Sequence, residues 1–183
     1  KFMLDKNLFK KISKYSIFII ITGASVIILG YTDTVFLTYF SGLKEVALYS
    51  IALPTAKILL NFPLAFGNVL LPLASEMWAK RKDELLKAGM ELLYKYSMII
   101  TVPMVFMMLS FAHLIITVLF GQMYIEASNG LKILSIGMMF MTVHLINVNF
   151  FLGIGKPEIQ SKIVLTASIF NLIGDLALIP ILG

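Results

Sequence analysis

The sequence predicts an all-α fold, a polytopic bundle of about five transmembrane helices. The first observation is compositional: 59% of the residues are hydrophobic and 14% are charged, whereas soluble domains carry about 25% charged residues. The second is that apolar runs recur at the length that a helix needs to cross a hydrocarbon core of about 30 Å, which is about 20 residues. The chain is therefore expected to lie in a membrane.

The apolar runs define five spans along the chain. They cover roughly residues 15–40, 46–75, 91–120, 131–152 and 160–182. The chain opens on Lys1 and closes on "LIPILG", with no polar flank behind the last span. We therefore expect it to be a piece of a longer protein.

The basic residues are distributed unevenly between the two sides of the predicted membrane. They concentrate before span one, between spans two and three, and between spans four and five, whereas "SGLKEVA" and "GQMYIEASNG" contain only Lys44. Because basic loops tend to stay in the cytoplasm, this asymmetry predicts the orientation of a multi-pass cell-membrane protein. The predicted cytoplasmic segments are 1–14, 79–90 and 153–162, and the predicted outer segments are 41–46 and 121–130.

The formal net charge of +5 is explained by this topology signal. Basic juxtamembrane segments are attracted to anionic membrane lipids, so we expect such lipids as partners and expect no nucleic acid. Within the segment 79–90, Leu85, Leu86 and Met90 recur at helical spacing among charged residues. This pattern predicts a cytoplasmic interfacial connector, a helix lying along the membrane surface before span three.

Prolines interrupt two of the spans. Pro54, Pro63 and Pro72 lie in span two, and Pro103 lies in span three. Each proline removes a backbone donor, so these helices are expected to bend or break. Membrane transporters tolerate such breaks where the backbone lines a cavity.

A line of polar residues runs along span two, and we call it the Lys57 seam. It consists of Lys57, Asn61, Asn68 and Ser75, which fall within about 40° of one line on a helix. Lys57 lies too deep for its ammonium group to reach either headgroup layer comfortably. Two hypotheses remain open: Lys57 pairs with Asp33 or Asp175 as a structural bridge, or it lines a cavity and meets an anion.

Other spans carry polar stripes of their own. Span one has Asp33 on the face of Thr22 and Ser25, span four has His144 and Asn147, and span five has Asn171 and Asp175. Each has two interpretations. Asp33 holds freed backbone or binds a proton or cation; His144 forms hydrogen bonds in the core or titrates; Asn171 and Asp175 bond across helices or take part in coupling.

No enzymatic motif is present in the sequence. It contains no cysteine, no HExxH, no GxSxG and no phosphate-binding P-loop, and each of those motifs is tied to a specific catalytic arrangement. His113 and His144 stand on different spans without carboxylates at ligand spacing. We therefore expect a protein that is not an enzyme, with no metal and no cofactor.

Several ordered segments resemble one known family. They are Asp33, "FSGLKEVALYSIA" (40–52), Lys57, "FPLAFGNVLLPLASE" (62–76), "LFG" (119–121), "GIGKP" (153–157) and "FNLIGDLALIPILG" (170–183). Together they resemble the polysaccharide-biosynthesis flippases of the multidrug/oligosaccharidyl-lipid/polysaccharide exporter superfamily. The resemblance implies two helical bundles facing one another across a cavity, with residues 1–183 belonging to the second bundle and the remaining half of the transporter as its partner.

The resemblance also implies a mechanism, alternating access that carries a polyprenyl-linked oligosaccharide from the cytoplasmic to the outer leaflet. Its pyrophosphate would need a basic cavity, because an anion in a low dielectric requires opposing charge. Lys57 matches the family's basic position and would contact phosphate, while Asn61 and Asn68 would bind sugar hydroxyls. We also expect His144 and Asn147 to bind substrate. For coupling or gating with a cation or proton we expect Asp33, Asn171 and Asp175.

Three competing functions remain open. A multidrug or organic-cation antiporter of the same superfamily would use Asp33 and Asp175 for binding, but Lys57 on the central seam argues against it. A membrane-embedded glycosyltransferase or ligase would need a sizeable outer loop, and both predicted outer loops are short. A structural membrane subunit would need no polar stripes.

Overall fold

The computed structural model describes residues 6–182, and its regular structure there is helical throughout. The α-helices are α1 (Lys6–Phe40), α2 (Leu43–Lys57), α3 (Asn61–Ala79), α4 (Asp83–Phe120), α5 (Ala127–Gly153) and α6 (Pro157–Leu182). Five helical stretches are long and apolar enough to cross a membrane, with α2 and α3 together forming one of them, Leu43–Ala79. The prediction of an all-α fold with about five spans is confirmed.

The chain divides into two compact units. The first contains α1 and α6, within the described residues up to Gly42 and from Gly155 onward, and the second is Leu43–Ile154, which contains α2 to α5. In the first unit α1 and α6 pack along each other. Many of their large apolar side chains, including Ile20, Ile27 and Phe170, are exposed, as expected of helices whose surface meets hydrocarbon rather than water.

The second unit is organised around α5, which packs against α2, α3 and α4. Its core contains Leu59, Ile116, Leu131 and Ile146, which are fully buried. The approach of α5 to α3 is close at Gly153, where a Cβ atom would lie 2.7 Å from the backbone oxygen of Leu71. A small residue at this point allows the two backbones to pack directly, as is common between membrane helices.

The prolines disturb the helices unevenly. Between α2 and α3 the chain forms a 3₁₀ turn at Ile58–Leu60. Pro63 has no N–H to donate to the carbonyl of Leu59, and a tighter turn accommodates the missing bond. Helix α3 runs on through Pro72, and the non-helical residue of α4 is Phe111 (φ −109°, ψ 15°), beyond Pro103. The expected break is therefore observed near Pro54 and Pro63, whereas the irregularity in α4 is displaced from its proline.

The predicted connector 79–90 falls at the turn between α3 and α4. Arg81 N–H donates to the carbonyl of Trp78 and Lys82 N–H to that of Met77, and Arg81 has a φ of 53°. Helix α4 begins at Asp83 and continues without interruption into the span. Residues 83–90 are thus the first turns of α4, and their position along a membrane surface stays a prediction.

Candidate functional site

The Lys57 seam lies on an open face of the second unit. Lys57 is the last residue of α2, Asn61 begins α3, and both side chains are exposed, as are those of Asn68 and Ser75. The 3₁₀ turn between them directs Leu59 and Leu60 into the core. Local sequence therefore separates the apolar side of this segment from its polar side and leaves the polar side open.

The seam side chains have no competing partners in their own unit. Within the described part of the second unit, Lys57, Asn61 and Asn68 form no side-chain hydrogen bond or ion pair. Two of the unit's carboxylates are engaged elsewhere: Glu126 pairs with Lys44 at 2.6 Å, and Glu76 pairs with Lys80 at 2.5 Å. The hypothesis of a bridge from Lys57 to Asp33 or Asp175 involves the other unit and stays a prediction.

Asn147 is held by helix α4. The Tyr94 hydroxyl donates to Asn147 Oδ1 at 2.8 Å, and Asn147 Nδ2 donates to the carbonyl of Val143 at 2.9 Å. Both ends of the amide are therefore occupied. Asn147 and Tyr94 line an open groove of about 340 Å³ together with Trp78 and Lys87. None of the seam residues lines this groove.

His144, the other candidate on α5, is half-buried one turn before Asn147. The structure does not join either residue to the Lys57 seam by a hydrogen bond within the described part of the second unit. The five residues predicted to bind substrate therefore divide into an open seam of three and a pair on α5. Their role in binding stays a prediction.

The three residues predicted for coupling or gating do come together in the first unit. Asn171 Nδ2 of α6 donates to Asp33 Oδ1 of α1 at 3.2 Å. The carboxyl group of Asp175, one helical turn beyond Asn171, interacts directly with that of Asp33. Asp175 Oδ2 is buried and has no hydrogen-bond partner among residues 6–182. We call these three residues the carboxyl cluster.

The chemistry of the carboxyl cluster suits the binding of a proton or a cation. Two adjacent carboxyl groups in apolar helices repel each other when both are charged, and a shared proton or a bound cation relieves that repulsion. The cluster supplies two carboxyl groups and one amide oxygen or nitrogen for this purpose. Among the described residues, no group of three or more His, Asp or Glu side chains is placed to hold a metal ion.

Two contacts between helices of the second unit could not be anticipated from the sequence. Tyr94 orients Asn147 across 53 positions of the chain, and Asn149 places its side-chain amide directly over Gly67. No periodicity marks either pair, because each depends on how α4 and α3 pack against α5. The only available signal is general: glycines and amides are enriched where membrane helices meet.

Comparison with known proteins identifies the family of this chain. Residues 1–129 match the model of a family described as "Polysaccharide biosynthesis protein". The chain belongs to this family. It is also 40% identical, over 184 aligned positions, to an uncharacterized membrane protein of Methanocaldococcus jannaschii, covering 100% of this chain and 36% of that relative.

This polysaccharide biosynthesis protein thus spans about a third of the curated relative that it matches. No solved structure matches the chain. The family resemblance drawn from the sequence motifs is confirmed. The protein is a membrane protein of that family with five helical stretches able to span the bilayer.

Proposed function

We propose that this protein is part of a transporter that moves a polyprenyl-linked (pyro)phosphate oligosaccharide from the cytoplasmic to the outer leaflet of the cell membrane by alternating access. The observation that supports the proposal most is the position of Lys57, an exposed cation within an apolar helical stretch, Leu43–Ala79. Membership in the polysaccharide biosynthesis family favours a transport role over a catalytic one.

The depth of Lys57 is what makes it informative. At about 1.5 Å per residue, Lys57 lies about 21 Å along the helix from Leu43 and farther still from Ala79. A lysine side chain is too short to reach the headgroups from the middle of such a stretch. An intramembrane cation without a carboxylate partner in its own unit favours an aqueous cavity or an anionic ligand.

The phosphate is the substrate group that fits this cation. A lysine ammonium binds phosphate as a point charge, and the attraction is strengthened where water is excluded. Asn61 and Asn68 continue the seam along the helix, and the line from Lys57 to Asn68 covers about 16 Å. We assign the two amides to sugar hydroxyls, so that the head of the substrate lies along α3.

The orientation follows from the distribution of basic residues. We propose that residues 1–14, 79–90 and 153–162 face the cytoplasm and that 41–46 and 121–130 face outward. The two predicted outer connections are short, at residues 41–42 between α1 and α2 and residues 121–126 between α4 and α5. Little room is left there for a catalytic loop, which supports transport over a glycosyltransferase or ligase.

The carboxyl cluster supplies the coupling in this proposal. Binding of a proton or cation between Asp33 and Asp175 would remove the repulsion between them, and its release would restore it. This change of charge would bias the helices α1 and α6 between two arrangements. Asn171 acts as a positioning residue because it donates a hydrogen bond to Asp33.

The proposal is tested by translocation of a lipid-linked oligosaccharide in liposomes that contain the full-length protein. Replacing Lys57 with Gln removes one charge-assisted contact, worth about 1.5–3 kcal/mol. Substrate binding should weaken on the order of tenfold to a hundredfold. Lys57→Arg should keep most of the binding, because the charge is retained.

A matched control removes an exposed lysine that lies outside the seam. Lys162 is exposed on α6, and Lys162→Gln should bind and translocate like the wild type. If Lys57→Gln binds the lipid-linked substrate as tightly as Lys162→Gln does, the phosphate role of Lys57 is refuted.

A second candidate function, a cation antiporter, is favoured by the carboxyl cluster alone. Its adjacent carboxyl groups would suit an organic cation as well as a coupling ion. A cationic dye added to the same liposomes separates the two. Dye transport that survives Lys57→Gln but is lost in Asp33→Asn would favour the antiporter, whereas transport of the lipid-linked substrate alone would favour the flippase.

A further inference from the structure

An apolar groove runs between α3 and α4, on a different side of α3 from the Lys57 seam. It has a volume of about 440 Å³, and its lining is wholly apolar, with Val69, Leu73 and Met77 from α3 and Gly89, Leu92 and Leu93 from α4 among the residues that form it. A Cβ atom at Gly89 would meet nothing within 4 Å. The floor of the groove is therefore open at Gly89.

A turn of three basic residues lies at one end of this groove. Met77 and Leu86 flank the turn that joins α3 to α4, and this turn consists of Lys80, Arg81 and Lys82. Lys80 pairs with Glu76 at 2.5 Å. Arg81 and Lys82 are exposed and form no ion pair with another described residue of their unit.

The acidic residues next to the turn stabilise the start of helix α4. Asp83 and Glu84 occupy the first turn of α4, where carboxylates are stabilised by the positive end of the helix dipole. Their presence in that turn has a local structural reason. Arg81 forms no ion pair among the described residues of its unit, and Lys82 interacts with Glu76 only by longer-range attraction.

The backbone conformation of Arg81 is unusual for a residue with a side chain. Its φ of 53° lies in the left-handed region, and the N–H of Lys82 donates to the carbonyl of Met77 at 3.0 Å. This is the helix-ending arrangement in which glycine is usual at the left-handed position. The turn needs this backbone conformation but does not need a side chain at this position, and a side chain there strains the backbone. The presence of arginine instead of glycine therefore points to a use for its side chain.

We propose that the groove between α3 and α4 holds a hydrocarbon chain of an anionic membrane lipid, whose phosphate is bound by Arg81 and Lys82. The apolar lining fits the chain, and the two exposed cations of the turn at the end of the groove complement the headgroup. The groove does not include any residue of the Lys57 seam, so the lipid proposed here is distinct from the transported substrate. The proposal does not depend on the transport role of Lys57.

The test uses full-length protein purified in mild detergent, with retained lipid measured by native mass spectrometry. Phosphatidylglycerol, which is anionic, should bind at least tenfold more tightly than phosphatidylcholine, which carries no net charge. Gly89→Leu fills the groove and should reduce phosphatidylglycerol binding at least tenfold. Gly23→Leu is the matched control, because Gly23 is a glycine inside helix α1 that likewise has nothing within 4 Å of a Cβ atom.

A second variant separates lipid binding from folding. Arg81→Gly removes a cation and at the same time relieves the left-handed backbone, so the lipid-free protein should unfold at the same temperature as the wild type or higher. The thermal stabilisation that phosphatidylglycerol gives to the wild type should be lost in this variant.

Three results would each overturn the proposal. The first is equal binding of the anionic and the uncharged lipid, and the second is wild-type binding of phosphatidylglycerol by both Gly89→Leu and Arg81→Gly. The third is displacement of the bound lipid by a stoichiometric amount of polyprenyl phosphate, which would assign the groove to the transported substrate.

Discussion

The contact between α3 and α5 at Gly153 predicts that even one added methyl group destabilises the protein. In Gly153→Ala the new Cβ would lie 2.7 Å from the backbone oxygen of Leu71 and 2.9 Å from the Cβ of Ala74, whereas ordinary contacts begin at 3.4 Å. Neither neighbour can rotate away, because one is backbone and the other is a fully buried alanine. The helices must therefore separate.

The expected size of the effect can be bounded. Overpacking of this kind lowers the free energy of unfolding by about 1–3 kcal/mol. The helical preference of alanine over glycine offsets at most about 0.5–1 kcal/mol of this loss. Gly137→Ala on the same helix is the matched control, because a Cβ there meets nothing within 4 Å. Gly137→Ala should gain the helical preference of alanine without the cost of overpacking. The two variants should therefore differ by about 1–3 kcal/mol in free energy of unfolding.

The assay is unfolding of the full-length protein in detergent, followed by circular dichroism against temperature or denaturant. Gly153→Ala should unfold before the wild type, and Gly137→Ala at or after it. Equal midpoints for the two alanine variants would refute the close approach of α3 and α5. Gly67→Ala should be milder than Gly153→Ala, because the neighbour of its Cβ is the side chain of Asn149, which can change rotamer.

Two further predictions concern the polar contacts within each unit. Tyr94→Phe removes the hydrogen bond to Asn147 but keeps the ring, so the free energy of unfolding should fall by about 1 kcal/mol; an unchanged unfolding midpoint would show that this bond is not maintained in the membrane protein. Asp33→Asn leaves Asp175 with a neutral neighbour, so transport in liposomes should lose its dependence on the pH or cation gradient while binding of the lipid-linked substrate persists. Transport that keeps the wild-type gradient dependence in Asp33→Asn would contradict the coupling role of the carboxyl cluster.

The helical spans were predictable because they depend on composition over short windows. Each apolar run must satisfy its own backbone hydrogen bonds in a membrane, and a helix does so within one segment. The five spans were therefore predictable without knowledge of any neighbour. The irregular turn at Ile58–Leu60 could also be predicted, since Pro54 and Pro63 remove backbone donors at known positions.

The composition of each polar stripe was likewise visible in the sequence, since the helical period places its members on one side. That argument groups Lys57 with Asn61 and Asn68, and Asn171 with Asp175. It does not say which helices meet. The bond from Asn171 to Asp33 joins residues 138 positions apart, and only the packing of α1 against α6 brings them together.

Tertiary structure also decided how particular side chains are used. Asn147 shares a predicted stripe with His144, yet the packing of α4 against α5 turns its amide to Tyr94. The sequence predicts Arg81 only as one of several cytoplasmic cations, and its left-handed backbone conformation is visible only in the structure. Hydropathy and helical period are properties of one segment, so the sequence by itself determined the spans and their polar faces. Contacts between segments depend on distances across the fold, and the structure alone decided them.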